Sequence, residues 1–291
     1  MSFPSLHMFK GSGPRIAYFE WGAPGGRTVF LIHATGFHAR CWDKVIAALP
    51  AGYRAIAPDT RGHGLSEKAG RMTDWSLAAR DAGELATHLN LRGAIGVGHS
   101  KGGHTLVQVA AAAPEIFERL LLIDPVLLPP QTYRHGSASA QPNEHPVSRR
   151  RNVWSSWEEM FESFRGRYPF SLWQPDILVD YCRFGLVMRP SGEGYELACP
   201  PEIEASVYLG SSNLDIWELA KSIPVPVTVI RAQSRAADAT TMDFASSPTW
   251  AGAAGIFPKG RDVPLPHLTH FIPMQDPALV ARFIAEPDAM A

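Results

Sequence analysis

Apolar residues in the N-terminal half of the chain fall in short unbroken runs rather than in alternation. Residues 16–21, 28–33, 53–57, 93–98 and 119–123 each read as a strand. Between them the spacing turns helical: 41–49, 75–89 with Thr73 and Asp74 as caps, and the Ala-rich stretch 102–113, stopped by Pro114. Continuous apolar strands are what a parallel sheet buried on both faces requires. Alternation of such strands with helices implies right-handed crossovers and a doubly wound α/β sheet. The rhythm lapses from 129 to 222. There, 131–147 is polar and rich in Pro, Ser and Gly, and reads as a loop; 154–164 and 175–186 read as helices with aromatic faces. It resumes with a strand at 226–231, a weaker strand at 254–257 and a final helix at 277–285. The expected architecture is one α/β core, 1–128 and 223–291, interrupted by a mainly helical insertion, 129–222.

The sharpest chemical signal is Gly98-His99-Ser100-Lys101-Gly102, placed between a strand and a helix. A serine on so sharp a turn is lifted above the sheet, at the positive end of the following helix, and small neighbours relieve the crowding. Read blandly, the segment is a Gly-rich turn whose serine caps a helix; the strand before it and helix after it favour a nucleophile. A serine needs a base, and chain order puts that base after the last strand, where His267 and His270 both stand. The acid that orients the base is Asp124, at the end of the strand 119–123, or Asp238, beyond the strand 226–231. Backbone N–H groups of Lys101 and of Thr35, in the loop after the strand 28–33, are the candidate oxyanion donors. His33, which ends that strand, reads as structural, with its ring bonding the loop backbone; His63, in a later loop, takes a packing role by default.

Charge excludes several partners. With 27 basic and 28 acidic side chains the net charge is −1, which offers no footprint for nucleic acid or an anionic membrane. Arg149, Arg150 and Arg151 form a short basic run that reads as a solvated face. Cys41, Cys182 and Cys199 match no zinc or redox spacing and read as reduced, buried thiols. Without a signal-like N-terminus or an apolar run of membrane-spanning length, the expectation is a soluble cytoplasmic protein.

Four blocks in order resemble the α/β-hydrolase superfamily, in its lidded esterase and lipase-like branch. His33-Ala34-Thr35-Gly36-Phe37 with Trp42 is similar to its oxyanion segment. Pro58 to Ser66, with Asp59, Arg61, Gly62 and Gly64, resembles its D-x-R-G-x-G-x-S scaffold loop. Gly98 to Gly103 looks like its nucleophile elbow, and His270-Phe271-Ile272-Pro273 with Gln275-Asp276-Pro277 looks like its histidine loop. The resemblance favours His270 over His267 and implies acyl-enzyme hydrolysis of an ester or related acyl bond at Ser100. It implies no metal or organic cofactor, and a small to medium, largely apolar substrate roofed by lid aromatics drawn from Trp154, Trp157, Phe161, Phe164, Tyr168, Phe170, Trp173, Tyr181 and Phe184. Two departures stand out. No aspartate directly follows Arg231, which turns attention to Asp124. Lys101 replaces a small, apolar or amide residue; its amine either meets an acidic substrate group or pairs with a carboxylate at the pocket rim. Aspartate-nucleophile chemistry is excluded by the serine. Carbon–carbon bond hydrolysis of β-diketone-like compounds, and ligand binding without catalysis, are the alternatives.

Overall fold

The computed structural model describes residues 3–133, 141, 143, 145–234 and 243–289. Strands β1 (Ser5–Lys10), β2 (Arg15–Trp21), β3 (Arg27–Ile32), β4 (Tyr53–Pro58), β5 (Ala94–His99) and β6 (Phe117–Ile123) are joined in part by helices α1 (Asp43–Ala47), α2 (Ser76–His88) and α3 (Lys101–Ala112). The stretch 129–222 carries α4 (Pro130–Tyr133), β7 (Val153–Trp154), α5 (Trp157–Phe164), α6 (Pro175–Phe184), β8 (Leu186–Met188), β9 (Tyr195–Leu197), α7 (Pro201–Leu209) and α8 (Trp217–Lys221). Strands β10 (Val227–Arg231) and β11 (Gly260–Pro264) follow, then α9 (Ile272–Gln275) and α10 (Pro277–Ala285).

The main sheet has the order β1-β2-β4-β3-β5-β6-β10-β11. From β4 to β11 all neighbours are parallel; β2 pairs antiparallel with both β1 and β4. This is the expected doubly wound α/β sheet. Its strands are apolar on both sides because both sides are covered. Val29 and Leu31 of β3 pack with Val45 and Ile46 of α1 and with Val280 and Ile284 of α10. Phe30 and Ile32 point the other way, into Leu85 of α2 and Leu106 and Val107 of α3. The chain reverses direction at β3, with β4 on one side and β5 on the other. Loops leaving the C-terminal ends of β3 and β5 therefore face one crevice, the usual place for a ligand in such a sheet.

Several local expectations fail for identifiable reasons. Strand β1 carries little apolar signal because only Phe9 is buried on this sheet edge. Residues 254–257, expected as a strand, lie largely in a 3₁₀ turn, Ala253–Ile256, whose Ala253 and Ala254 belong to the core. The strand comes later, at Gly260–Pro264. It is an edge strand with one buried side chain, Val263, and its Asp262 binds Arg231 in two hydrogen bonds of 2.7 Å. The stretch 129–222 also contains strands: β7, β9 and β8 form a small antiparallel sheet, each strand too short to show a period. Part of 131–147 lies outside the described residues.

The segment 59–66 is a scaffold. Asp59 Oδ1 accepts the Ala39 N–H (2.7 Å) and Oδ2 the Leu65 N–H (2.8 Å). Ser66 Oγ donates to the Asp59 carbonyl and accepts from the Ala17 N–H, which ties the loop to β2. Arg61 grips Asp81 of α2 through two bonds, both buried. The three cysteines are buried free thiols, and among the described residues no helix is long and apolar enough to cross a membrane.

His33, His38, His63, His99 and His104 are all buried. Burial, the largest cause in each case, depresses their pKa values: to about 4 for His38, to about 3 for His63, His99 and His104, and well below 6.5 for His33. An unfolded chain takes up protons on these rings once the pH drops below about 6.5, whereas the folded chain refuses them. Each ring thus removes up to about 1.4 kcal/mol of stability per pH unit of acidification. Asp59, pushed up to about 6 by burial, opposes this trend, as do Asp43 and Asp180, which burial also raises. The urea midpoint should accordingly be highest near neutral pH and fall steeply between about pH 6.5 and 5. A midpoint that holds or rises over that window would mean the rings are charged in the fold.

Candidate active site

Strand β5 ends at His99 and helix α3 begins at Lys101, so the chain turns within one residue, Ser100, at φ 57 and ψ −120. That conformation is rare for a side chain other than glycine and stores strain. The flanking glycines make it possible. A Cβ on Gly98 would lie 2.6 Å from the Gly102 carbonyl group and the Gly103 Cα, and a Cβ on Gly102 would run into the Ile32 carbonyl oxygen. Helix α3 is thereby pressed against β3 and β5, and Ser100 is pinned where they meet. Its N–H donates to the Ile123 carbonyl (3.0 Å) and its carbonyl accepts the Val126 N–H (3.1 Å).

Ser100 Oγ stands 2.9 Å from His270 Nε2, and His270 Nδ1 stands 2.6 Å from Asp124 Oδ2. With Nδ1 protonated, the imidazole donates to the carboxylate and its other nitrogen accepts the serine proton. Asp124 follows directly on β6, at φ 41, and is fully buried. Its Oδ1 accepts from the Ala232 N–H (2.8 Å), Ser247 Oγ (2.5 Å) and Thr249 Oγ1 (3.2 Å), which leaves Oδ2 for the histidine. Of the two candidate acids, Asp124 is therefore the one brought to His270; Asp238 lies outside the described residues. His267 is exposed. The base is fixed by its backbone as well as its ring: the His270 N–H donates to the Ala245 carbonyl (2.7 Å), and the His270 carbonyl accepts from His99 Nε2 (2.8 Å). His99, Ser247 and Thr249 were not singled out from the sequence. Only His99, inside the pentapeptide, carried any local signal.

The backbone N–H groups of Thr35 and Lys101 donate to no acceptor among the described residues. Both belong to chain segments that border Ser100, and Thr35 lines the cavity there. His33 braces the Thr35 loop as expected: Nδ1 donates to the Ala34 carbonyl (2.7 Å) and Nε2 accepts the Thr60 N–H (2.9 Å). Neither expectation for the Lys101 amine holds. Its side chain is fully buried and lines no cavity at Ser100. The Nζ lies 6.0 Å from the centre of the Trp75 ring, and the nearby Asp81 is committed to Arg61. Burial lowers its pKa to about 8, with Arg61 adding to the effect.

Two cavities share walls here, and the first opens at the serine. One, of about 200 Å³, is lined by Ser100 and His270 together with Trp75, Val126, Leu128 and Pro248. The other, of about 300 Å³, is walled by Phe164, Phe170, Trp173 and Tyr181 from the inserted stretch. Thr35, Phe37, Tyr208, Phe244 and Phe271 line both. Four of the aromatics expected to face a pocket, Phe164, Phe170, Trp173 and Tyr181, thus line the second cavity. Others do not: Phe184 packs under the Arg40 guanidinium, Trp154 is buried against Phe164, and Tyr168 is exposed. The second cavity also exposes a departure from the basic-run expectation. Arg149 and Arg151 are on the surface, but Arg150 turns inward to bind Glu204 (2.6 Å) and the Tyr181 hydroxyl (3.2 Å). A larger open depression of about 890 Å³, between Phe9, α2 and α3, contains none of these groups.

Comparison with known proteins places this geometry in context. Over 116 residues the chain is 38% identical to a non-heme chloroperoxidase of Streptomyces lividans, a match covering 39% of this chain and 42% of that protein. It is 32% identical over 103 residues to a bifunctional esterase/perhydrolase of Acinetobacter calcoaceticus, covering 35% and 37% of the two chains. These matches span about two fifths of the length of the curated relatives. Among solved structures, E-2-(acetamidomethylene)succinate hydrolase superposes with a TM-score of 0.77 at 20% identity, over 98% of this chain and 100% of the other, which shows a shared fold. Residues 29–283 match the family described as the alpha/beta hydrolase family. With that match running from β3 to α10, through the elbow and the histidine loop, the chain belongs to the alpha/beta hydrolase family.

Proposed function

We propose that this chain is a serine hydrolase that cleaves a carboxylic ester or related acyl bond through an acyl-enzyme. The observation that carries the reading is the hydrogen-bonded run from Ser100 Oγ through His270 to Asp124, at 2.9 and 2.6 Å, on a strained elbow beside two N–H groups without an acceptor among the described residues. His270 takes the Ser100 proton as Oγ attacks the substrate carbonyl. Asp124 holds the imidazole in the tautomer that can accept that proton and stabilises the imidazolium that results. The Thr35 and Lys101 N–H groups bind the oxyanion, and the N-terminus of α3 favours the developing charge. His270 then protonates the leaving alcohol. Water, activated by the same ring, releases the acid and restores Ser100.

The stretch 129–222 serves as a cap in this reading. It supplies aromatic walls that exclude water and select a small to medium, largely apolar group. The name of the Acinetobacter relative supports a second acceptor. Hydrogen peroxide attacking the same acyl-enzyme in place of water would yield a peracid and free Ser100, as the name perhydrolase implies for the Acinetobacter protein.

A fluorophosphonate probe should label the folded protein at Ser100, and Ser100→Ala should abolish the label. Folded wild-type protein that resists the probe would favour a ligand-binding role. Asp124→Asn should lower kcat by about 10⁴-fold on a nitrophenyl ester, since an amide lets the imidazole settle in the wrong tautomer. A loss of less than tenfold would remove Asp124 from the mechanism. Across nitrophenyl esters, turnover should be slowest on charged acyl groups and faster on uncharged ones of modest size.

A further inference from the structure

The second cavity holds an ion pair that the proposed chemistry does not use. Arg150 Nη1 binds Glu204 Oε2 at 2.6 Å and Nη2 reaches the Tyr181 hydroxyl at 3.2 Å. Arg150, Glu204 and Tyr181 all line the cavity, among Phe164, Phe170 and Trp173. Glu204 is only 4% exposed, yet its Oε1 accepts no hydrogen bond among the described residues. Arg150 likewise keeps its Nε–H without an acceptor there. A pair removed from water gains little stability over apolar residues of the same size. One that faces a cavity with a donor and an acceptor still open is arranged for something to fill them.

Its position ties it to the reacting centre. The Glu204 carboxylate sits against the Cα of Gly36, so close that a Cβ at Gly36 would collide with Oε1. Gly36 follows Thr35, whose N–H is one of the two oxyanion donors and whose side lines both cavities. A substrate whose carbonyl lies at Ser100 can therefore extend past Thr35 and Phe37 and place its far end at the pair.

The charge of the pair then decides the class of that far end. One cation and one anion sum to zero, and the guanidinium is already neutralised by a carboxylate. A substrate carboxylate would gain one Arg150 contact while facing Glu204, and like charges close together in a dry site repel strongly. A hydrocarbon end would leave the open donor and acceptor buried and unpaired. A neutral group that both accepts and donates satisfies them together. The Lys101 amine, packed behind Trp75 outside both cavities, supplies no alternative anchor for an acid.

We propose that the Arg150–Glu204 pair is a specificity site for a neutral amide on the substrate, the amide oxygen accepting from Arg150 and its N–H donating to Glu204. This rests on the acyl-enzyme reading given above. The test uses three nitrophenyl esters of equal acyl length, ending in a carboxamide, a carboxylate or a methyl group. Wild-type kcat/KM should be at least tenfold higher for the carboxamide than for either of the others, with most of the difference in KM. Glu204→Gln leaves Arg150 as an uncompensated cation and should shift the carboxylate-to-carboxamide ratio at least tenfold toward the carboxylate. Equal wild-type rates, or a preference for the carboxylate or methyl ester, overturn the proposal even if the variant does not fold. Where the variant folds, an unchanged ratio overturns it as well. Fluorophosphonate labelling is run in parallel. Labelled Ser100 without the carboxamide preference sinks this proposal alone, and absence of label sinks the hydrolase reading itself.

Discussion

Everything at the site depends on one steric contact, the closeness of helix α3 to strand β3. Gly102 has no side chain because the Ile32 carbonyl occupies the space where one would begin, and Gly98 is bare because Gly102 and Gly103 crowd it. With the helix driven that close, the residue between strand and helix has no room for an ordinary conformation, and Ser100 takes φ 57. The sheet meets the cost of that strain, since its buried strands hold both ends of the turn. The outcome is a hydroxyl standing clear of the backbone, beside amide groups that the helix has no use for.

The rest of the machinery is attached to that point by hydrogen bonds from elements far apart in sequence. Asp124 takes its own left-handed turn at the end of β6 and uses one oxygen to gather Ala232, Ser247 and Thr249 from the far side of β10. With that oxygen saturated, the carboxylate cannot swivel, and the remaining oxygen can only point at His270. Such a site is assembled before any substrate arrives, so little reorganisation is left for the reaction itself.

How much of this was readable from the residues follows their physics. Buried strands such as β3, β5 and β6 announce themselves because both faces must be apolar. The elbow announces itself because only glycine tolerates the approach of α3. Strand ends and chain order narrowed the acid to Asp124 or Asp238 and the base to His267 or His270, and the family resemblance favoured His270. Edge strands were harder: β1 and β11 each bury a single side chain, and the stronger apolar signal at Ala253–Ile256 belonged to a turn packed on the core. Side-chain direction was the least legible feature. Lys101 borders the nucleophile in sequence yet turns away behind Trp75, whereas Arg150, in a run that looked solvated, turns inward to Glu204. Both outcomes depend on partners remote along the chain, and no local pattern encodes them.

The bond from the His99 ring to the His270 carbonyl has a mechanical consequence. It clamps the segment carrying the base to the residue next to the nucleophile, although the two are 171 positions apart. Fraying at the C-terminal end cannot gradually detune the pairing of base and serine, because the first motion must snap this clasp. Base and nucleophile are thus held in one frame for as long as this bond is made.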